Sequence, residues 1–213
     1  MTIRQVLKLR DRFGQLNPIH GIIFDMDGTL SISQPWMFKS MRSSIGLKDP
    51  GVDILSFIEG LPGDKQKEAQ QKIAFVEEKA MLEMEPQLGL LQLIYYIQDK
   101  GLPKAILTRN LIKPVKHLVG KFLPDIEFDP ILTREFQPPK PKPDAILHIA
   151  KTWGLDSKNL IMVGDSMDDV KSGFDAGAFT ILIKSEMNEA IRNDPRIDYV
   201  VDSLDGIIEL FEI

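Results

Sequence analysis

Short runs of consecutive apolar residues alternate along this chain with stretches whose apolar positions recur every three or four residues. The runs occupy 19–24, 105–108, 128–132, 160–163, 180–184 and 199–201. They are too uniformly apolar to be half-exposed, so they predict strands buried on both faces of a parallel sheet. The periodic stretches at 90–100, 114–122, 144–153, 168–176 and 204–211 predict helices. Strand–helix alternation of this kind predicts an α/β fold, a doubly wound and mainly parallel Rossmann-like sheet. One interval breaks the rhythm. Nearly all of 31–85 lacks a strand signal, carries helical patterns at 35–44, 52–60 and 64–84, and is punctuated by Gly46, Pro50-Gly51 and Pro62-Gly63. It is too long for a plain loop. The expected organisation is a core of 1–30 and 86–213, with a small helical cap, 31–85, inserted after the first strand and sitting over the end of the sheet.

Composition narrows the class. The chain has 213 residues and no cysteine, which excludes disulfides, Cys-ligated metal and a thiol nucleophile. A chain of this size can bury about 70 % of its extended surface, enough for a core without staples. Twenty-six basic against thirty-one acidic residues give a net charge of −5, which argues against broad nucleic-acid binding. No apolar run is long enough to span a bilayer. The first sixteen residues carry Arg4, Lys8, Arg10 and Arg12 with apolar residues between them. They read as a short helix packed on the domain rather than a presequence, since Asp11 is present and Ser is absent. The expected compartment is therefore the cytoplasm, extending to the nucleus, ahead of the mitochondrion. The expected assembly is a monomer or weak homodimer.

Four segments bear chemistry. In the first, the 19–24 strand ends in Asp25-Met26-Asp27-Gly28-Thr29. Carboxylates at i and i+2 of an extended chain point the same way, and Gly28 allows a sharp turn. Two such charges stay ionised only beside a cation or donors. In the second, Thr108-Arg109-Asn110 follows a strand. Its hydroxyl, its polar neighbours and nearby N–H groups suit a phosphate, although a Thr N-cap would use the same hydroxyl. In the third, Lys140 lies in the proline-rich loop 137–143, where stiff backbone makes it a positioned point charge. The same loop also satisfies P-x-x-P, so a non-catalytic binding protein is the competing reading. In the fourth, Gly164-Asp165-Ser166 follows another strand and leads through Asp168 and Asp169 into a helix. Together these strands deliver Asp25, Asp27 and Asp165 as an all-oxygen nest for Mg²⁺, with Thr108 and Lys140 for the phosphate.

On these four ordered motifs the chain resembles the haloacid dehalogenase (HAD) superfamily of hydrolases over nearly its whole length from Ile19. The helical insertion is similar to the cap of the phosphoglycolate phosphatase and β-phosphoglucomutase branch, and the chain also resembles small fungal members of unassigned substrate. The resemblance implies a Mg²⁺-dependent phosphatase of small phosphorylated metabolites. It implies that Asp25 is the nucleophile and Asp27 the general acid/base. It further implies that Asp25, the Asp27 main-chain carbonyl and Asp165 hold the metal. Thr108, Arg109, Asn110 and Lys140 are expected around the phosphoryl group, with Lys140 also offsetting Asp25. Gly28, Ser166 and Asp169 support the site, Asp169 by ordering the loop or bonding Lys140. A β-phosphoglucomutase-type phosphomutase has the same core pattern. Two residues depart from the family pattern: Arg109, where small polar residues are usual, and Ile32, where many members carry Asp. In the cap, Lys39 and Arg42 share a helical face and are candidate contacts for the leaving group. Trp36, Met37 and Phe38 are expected in the cap core, and His20, His117 and His148 in structural roles.

Overall fold

The computed structural model describes residues 6–11 and 13–212. Arg4 and Arg12 of the N-terminal segment lie outside them. Two units emerge. One runs to Ile32 and resumes at Pro86; the other is Ser33–Glu85.

The first unit is built on a parallel sheet of six strands among the described residues. β3 (Gly21–Phe24), β4 (Lys104–Leu107) and β5 (Ile131–Leu132) step away to one side. β6 (Leu160–Gly164), β7 (Phe179–Ile183) and β8 (Tyr199–Val201) step away to the other. The order is β5-β4-β3-β6-β7-β8, so the direction of winding reverses beside β3. In open α/β sheets that reversal opens a crevice beyond the carboxyl ends of the strands. Around the sheet lie α4 (Leu90–Asp99), α5 (Ile112–Phe122), α6 (Asp144–Trp153), α7 (Met167–Asp175) and α8 (Gly206–Leu210). Alternation sorts the strand residues by face. Ile23, Ala105, Leu107, Leu160 and Met162 pack with Ala145, Ile146 and Ile149 of α6. Their neighbours Ile22, Phe24, Ile106, Ile161 and Val163 are also fully buried, which explains why these strands read as apolar runs.

Two expectations for this unit need correction. Over its described residues the N-terminal segment forms not a helix but an antiparallel hairpin, β1 (Lys8–Arg10) with β2 (Leu16–Pro18). Lys8-Leu9-Arg10 alternates with the period of a strand, and Leu9 is fully buried. The Asp11 carboxylate accepts the N–H groups of Phe13 and Gln15 to close the turn. Lys8 also exchanges backbone hydrogen bonds with Glu212, at the opposite end of the chain. The expected strand 128–132 shrinks to Ile131–Leu132, because Pro130 has no N–H to give a ladder.

The second unit contains α1 (Pro35–Ile45), α2 (Ile54–Glu59) and α3 (Gly63–Leu82). Met41, Ile58, Ala69, Ile73 and Val76 form its core, with Trp36 and Met37 packed against them. Phe38, expected in that core, is instead 45 % exposed. It lies one position past Met37, and that 100° step along the helix turns it outward. The Arg42 guanidinium donates to the carbonyls of Asp49, Pro50 and Val52, which anchors the loop between α1 and α2. Lys39 is exposed.

Candidate active site

β3 hands Asp25 to the carboxyl edge of the sheet, and the Asp25 N–H donates to the Val163 carbonyl of β6 at 2.9 Å. The chain then turns back sharply. The N–H groups of Thr29, Leu30 and Ser31 all converge on the Met26 carbonyl, and Gly28 takes φ +81°. A side chain at Gly28 would be strained by that backbone angle, and its Cβ would lie 2.0 Å from Asp165 Oδ2. The glycine therefore lets this turn settle directly against the Asp165 carboxylate. Gly28→Ala is expected to lower turnover at least a hundredfold and to destabilise the fold by about 1–3 kcal/mol, read by steady-state kinetics and thermal melting. Activity within threefold of the parent would contradict this packing.

Lys140 reaches the site from the proline-rich loop. Its ammonium is buried, and it donates to Asp25 Oδ1 at 2.6 Å, to Asp169 Oδ1 at 2.5 Å and to the Leu107 carbonyl at 3.0 Å. All three of its N–H donors thus have acceptors. Lys140 stands as a fixed charge beside Asp25, and a phosphoryl oxygen could bond it only by sharing or displacing one of these partners. The other Asp169 oxygen accepts from the Ser166 N–H and hydroxyl, while Ser166 caps α7. One capping box thus fixes the carboxylate that fixes the lysine.

Oxygens of Asp25, Asp165 and Asp169 lie within 4.8 Å of one another. Burial pushes the Asp25 carboxyl well up, opposed by the Lys140 ammonium and reinforced by Asp169 and Asp165. Burial also pushes Asp165 up to about 7, again with Asp169 adding and Lys140 opposing. Lys140 moves upward as well, because Asp169 and Asp25 outweigh its desolvation. The cluster is short of positive charge: three carboxylates share one ammonium. Among the described residues no side chain donates to the Asp165 carboxylate; Lys140 acts on it only through its charge. A compact all-oxygen donor set with that deficit fits a hard divalent cation such as Mg²⁺. Since both Asp169 oxygens are already engaged, Asp25 and Asp165 are the carboxylates with oxygens to spare.

The remaining expected residues divide. Thr108 is buried at the end of β4. Its N–H donates to the Leu132 carbonyl and its hydroxyl oxygen accepts from the Asn110 N–H, so those two backbone donors are not open to a phosphate. The Thr108 O–H proton has no acceptor among the described residues. The Asn110 side chain, expected near the phosphate, donates instead to Asp27 Oδ2 at 2.7 Å. Arg109, expected there too, is exposed and pairs with Asp168 at 3.3 Å. Two positioning residues carry no motif to mark them. The buried Asn188 amide donates to the carbonyls of Asp165 and Ile183, tying the Asp165 backbone to β7. Gln87 Nε2 donates to the Gly28 carbonyl. Neither has a sequence signal, because each matters only through a backbone far away in the chain.

A reversal-point crevice lined by aspartates and one buried lysine defines an α/β protein with a compact, charged site at the carboxyl edge of its sheet. The family model for haloacid dehalogenase-like hydrolases matches residues 19–177, and this chain belongs to that family. An uncharacterized hydrolase of Saccharomyces cerevisiae is 48 % identical over 202 residues, covering 92 % of this chain and 93 % of the relative. A phosphoglycolate phosphatase of Neisseria meningitidis is 27 % identical, covering 90 % and 93 %. The crystal structure of a family IA HAD hydrolase from Entamoeba histolytica superposes with a TM-score of 0.72 at 19 % identity, over 88 % of this chain and 95 % of that one. As a hydrolase it is not the non-catalytic binding protein that the proline-rich loop allowed. Among the described residues no helix is long and apolar enough to cross a membrane.

Proposed function

We propose that this chain is a Mg²⁺-dependent phosphatase that hydrolyses small-molecule phosphate monoesters through a phospho-aspartate on Asp25. The observation that carries the reading is the buried Lys140 ammonium, fixed by Asp169 and set 2.6 Å from Asp25. A carboxylate can approach an anionic phosphate only where positive charge is already in place.

In the first step an Asp25 oxygen bonds to phosphorus and the bond to the ester oxygen breaks. Asp27, oriented by the Asn110 amide, gives its proton to the leaving alkoxide. In the second step Asp27 takes a proton from water. The resulting hydroxide attacks phosphorus, the Asp25–phosphorus bond breaks, and free phosphate leaves with Asp25 restored as carboxylate. The covalent intermediate divides one difficult displacement into two. The Thr108 hydroxyl is placed to donate to a phosphoryl oxygen. Asp25, Asp165 and the Asp27 main-chain carbonyl would hold a Mg²⁺ ion, which would supply charge to offset the repulsion between nucleophile and phosphate.

A phosphate-release screen over metabolite esters with Mg²⁺ tests the reading, with Asp25→Asn as the reference. Release by the parent on at least one ester, and loss of it in the variant, is the expected result. Equal release by both overturns the catalytic assignment. Isomerised sugar phosphate with no free phosphate would instead make the enzyme a mutase.

A further inference from the structure

β4 and β6 are not neighbours in the sheet; β3 lies between them. Two inter-strand spacings separate their ends by about 10 Å. Arg109 follows β4 and Asp168 opens α7 beyond β6, yet Arg109 Nη1 and Asp168 Oδ2 are 3.3 Å apart. The ion pair therefore spans from the β4 side to the β6 side of β3, the strand whose carboxyl end delivers Asp25 and Asp27. It makes a strap between the two flanks of the site.

The two anchor points of the strap are firm and the contact itself is weak. Arg134 Nε donates to the Arg109 carbonyl and the Arg134 N–H donates to the Asn110 carbonyl. Asp168 stands in the first turn of α7, next to Asp169 in its capping box. The ion pair, by contrast, joins side chains that are 52 % and 38 % exposed, at a distance long for a charge-assisted hydrogen bond. An exposed pair of this kind contributes little stability. Asp168 is thus a replaceable counter-ion for a guanidinium whose planar fork suits a carboxylate or phosphate.

An ester with its phosphoryl group at Asp25 must pass its leaving group beside this strap. A neutral leaving group gains nothing there. A leaving group with a second anion can take Asp168's place on Arg109. We propose that Arg109 exchanges Asp168 for a second anionic group of the substrate, so that the preferred substrates are short phosphate monoesters bearing a further carboxylate or phosphate. This rests on the phosphatase reading and adds the substrate class to it.

Three esters built on the same three-carbon frame test the idea: 3-phosphoglycerate, glycerol 1,3-bisphosphate and glycerol 3-phosphate. The first two carry the second anion as carboxylate and phosphate; the third has none. The parent enzyme is expected to favour at least one anionic ester over glycerol 3-phosphate by tenfold or more in kcat/KM. Whichever is favoured tells carboxylate from phosphate. Arg109→Gln is expected to shrink that preference at least tenfold, chiefly through KM, with Arg109→Lys retaining part of it. Asp168→Asn, which removes the competitor, is expected to lower KM for the anionic ester severalfold. The exchange is overturned if the parent preference is under threefold, if Arg109→Gln leaves it intact, or if Asp168→Asn raises that KM. No phosphate release by the parent from any ester would instead sink the phosphatase reading itself.

Discussion

Lys140→Met is expected to lower kcat by three orders of magnitude or more while leaving a folded but less stable protein. The ammonium is buried between Asp25 and Asp169, and removing one member of such a group leaves uncompensated charge inside the protein. Breaking a buried pair typically costs about 3–5 kcal/mol. The least costly relief is uptake of a proton by one carboxylate. Burial and the charges of Asp169 and Asp165 already push Asp25 upward, with Lys140 as the main opposing influence. Without the lysine Asp25 is the group that protonates, and a protonated carboxyl is no nucleophile. Arginine should not rescue, because a branched planar cation does not fit a cavity shaped for one compact ammonium making three bonds. The checks are kcat on an ester the parent hydrolyses and melting temperature at pH 6 and pH 8. A variant with kcat within tenfold of the parent would show that the lysine is structural only.

The second large effect concerns Asp165 and metal. Its folded-state pKa is raised to about 7, against about 3.9 in an unfolded chain. A carboxyl raised on folding binds its proton more tightly in the native state. Its contribution to stability is therefore complete below about pH 4, declines as pH rises, and is lost once pH passes through 7. Three units correspond to about 4 kcal/mol. Metal-free protein should accordingly melt lower at pH 8 than at pH 5. Mg²⁺ binds the ionised form, so its stabilising shift should be larger at pH 8 than at pH 6. Asp165→Asn removes both the buried charge and the ligand. That variant should melt above the parent at pH 8 without metal, and should show no Mg²⁺-induced shift. A parent curve flat in pH, or an Asn variant stabilised by Mg²⁺ as well as the parent, would remove Asp165 from the metal site.

The two outcomes bear on different halves of the chemistry. Lys140 concerns the charge that belongs to the protein, and Asp165 the charge that must come from solution. Asp169 links them, since it holds the lysine and raises Asp165. Its fixation by Ser166 is therefore part of the electrostatics of the site as well as a helix cap.

Strands buried on both faces leave an unmistakable imprint, because every residue of 160–163 must be apolar when helices cover both sides of a sheet. The positions of Asp25, Asp165 and Thr108 could likewise be read from the chain alone: each is a polar residue closing such a run or within two positions of its end, and the parallel sheet brings those run ends to one edge. These signals are local, written in residues a few positions apart. What could not be read that way is which groups bond one another across the fold. Lys140 meets Asp25 from 115 positions away and Asn110 meets Asp27 from 83, and neither partner choice leaves a trace in the spacing of nearby residues. The hairpin at Lys8–Pro18 was hidden for the same reason, since its three-residue strands are too short to show a period and one of them is completed by Glu212 from the far end. Apolar burial acts on every residue of a segment and so writes a pattern. A hydrogen bond or ion pair acts between two atoms whose meeting is set only when the whole sheet has assembled.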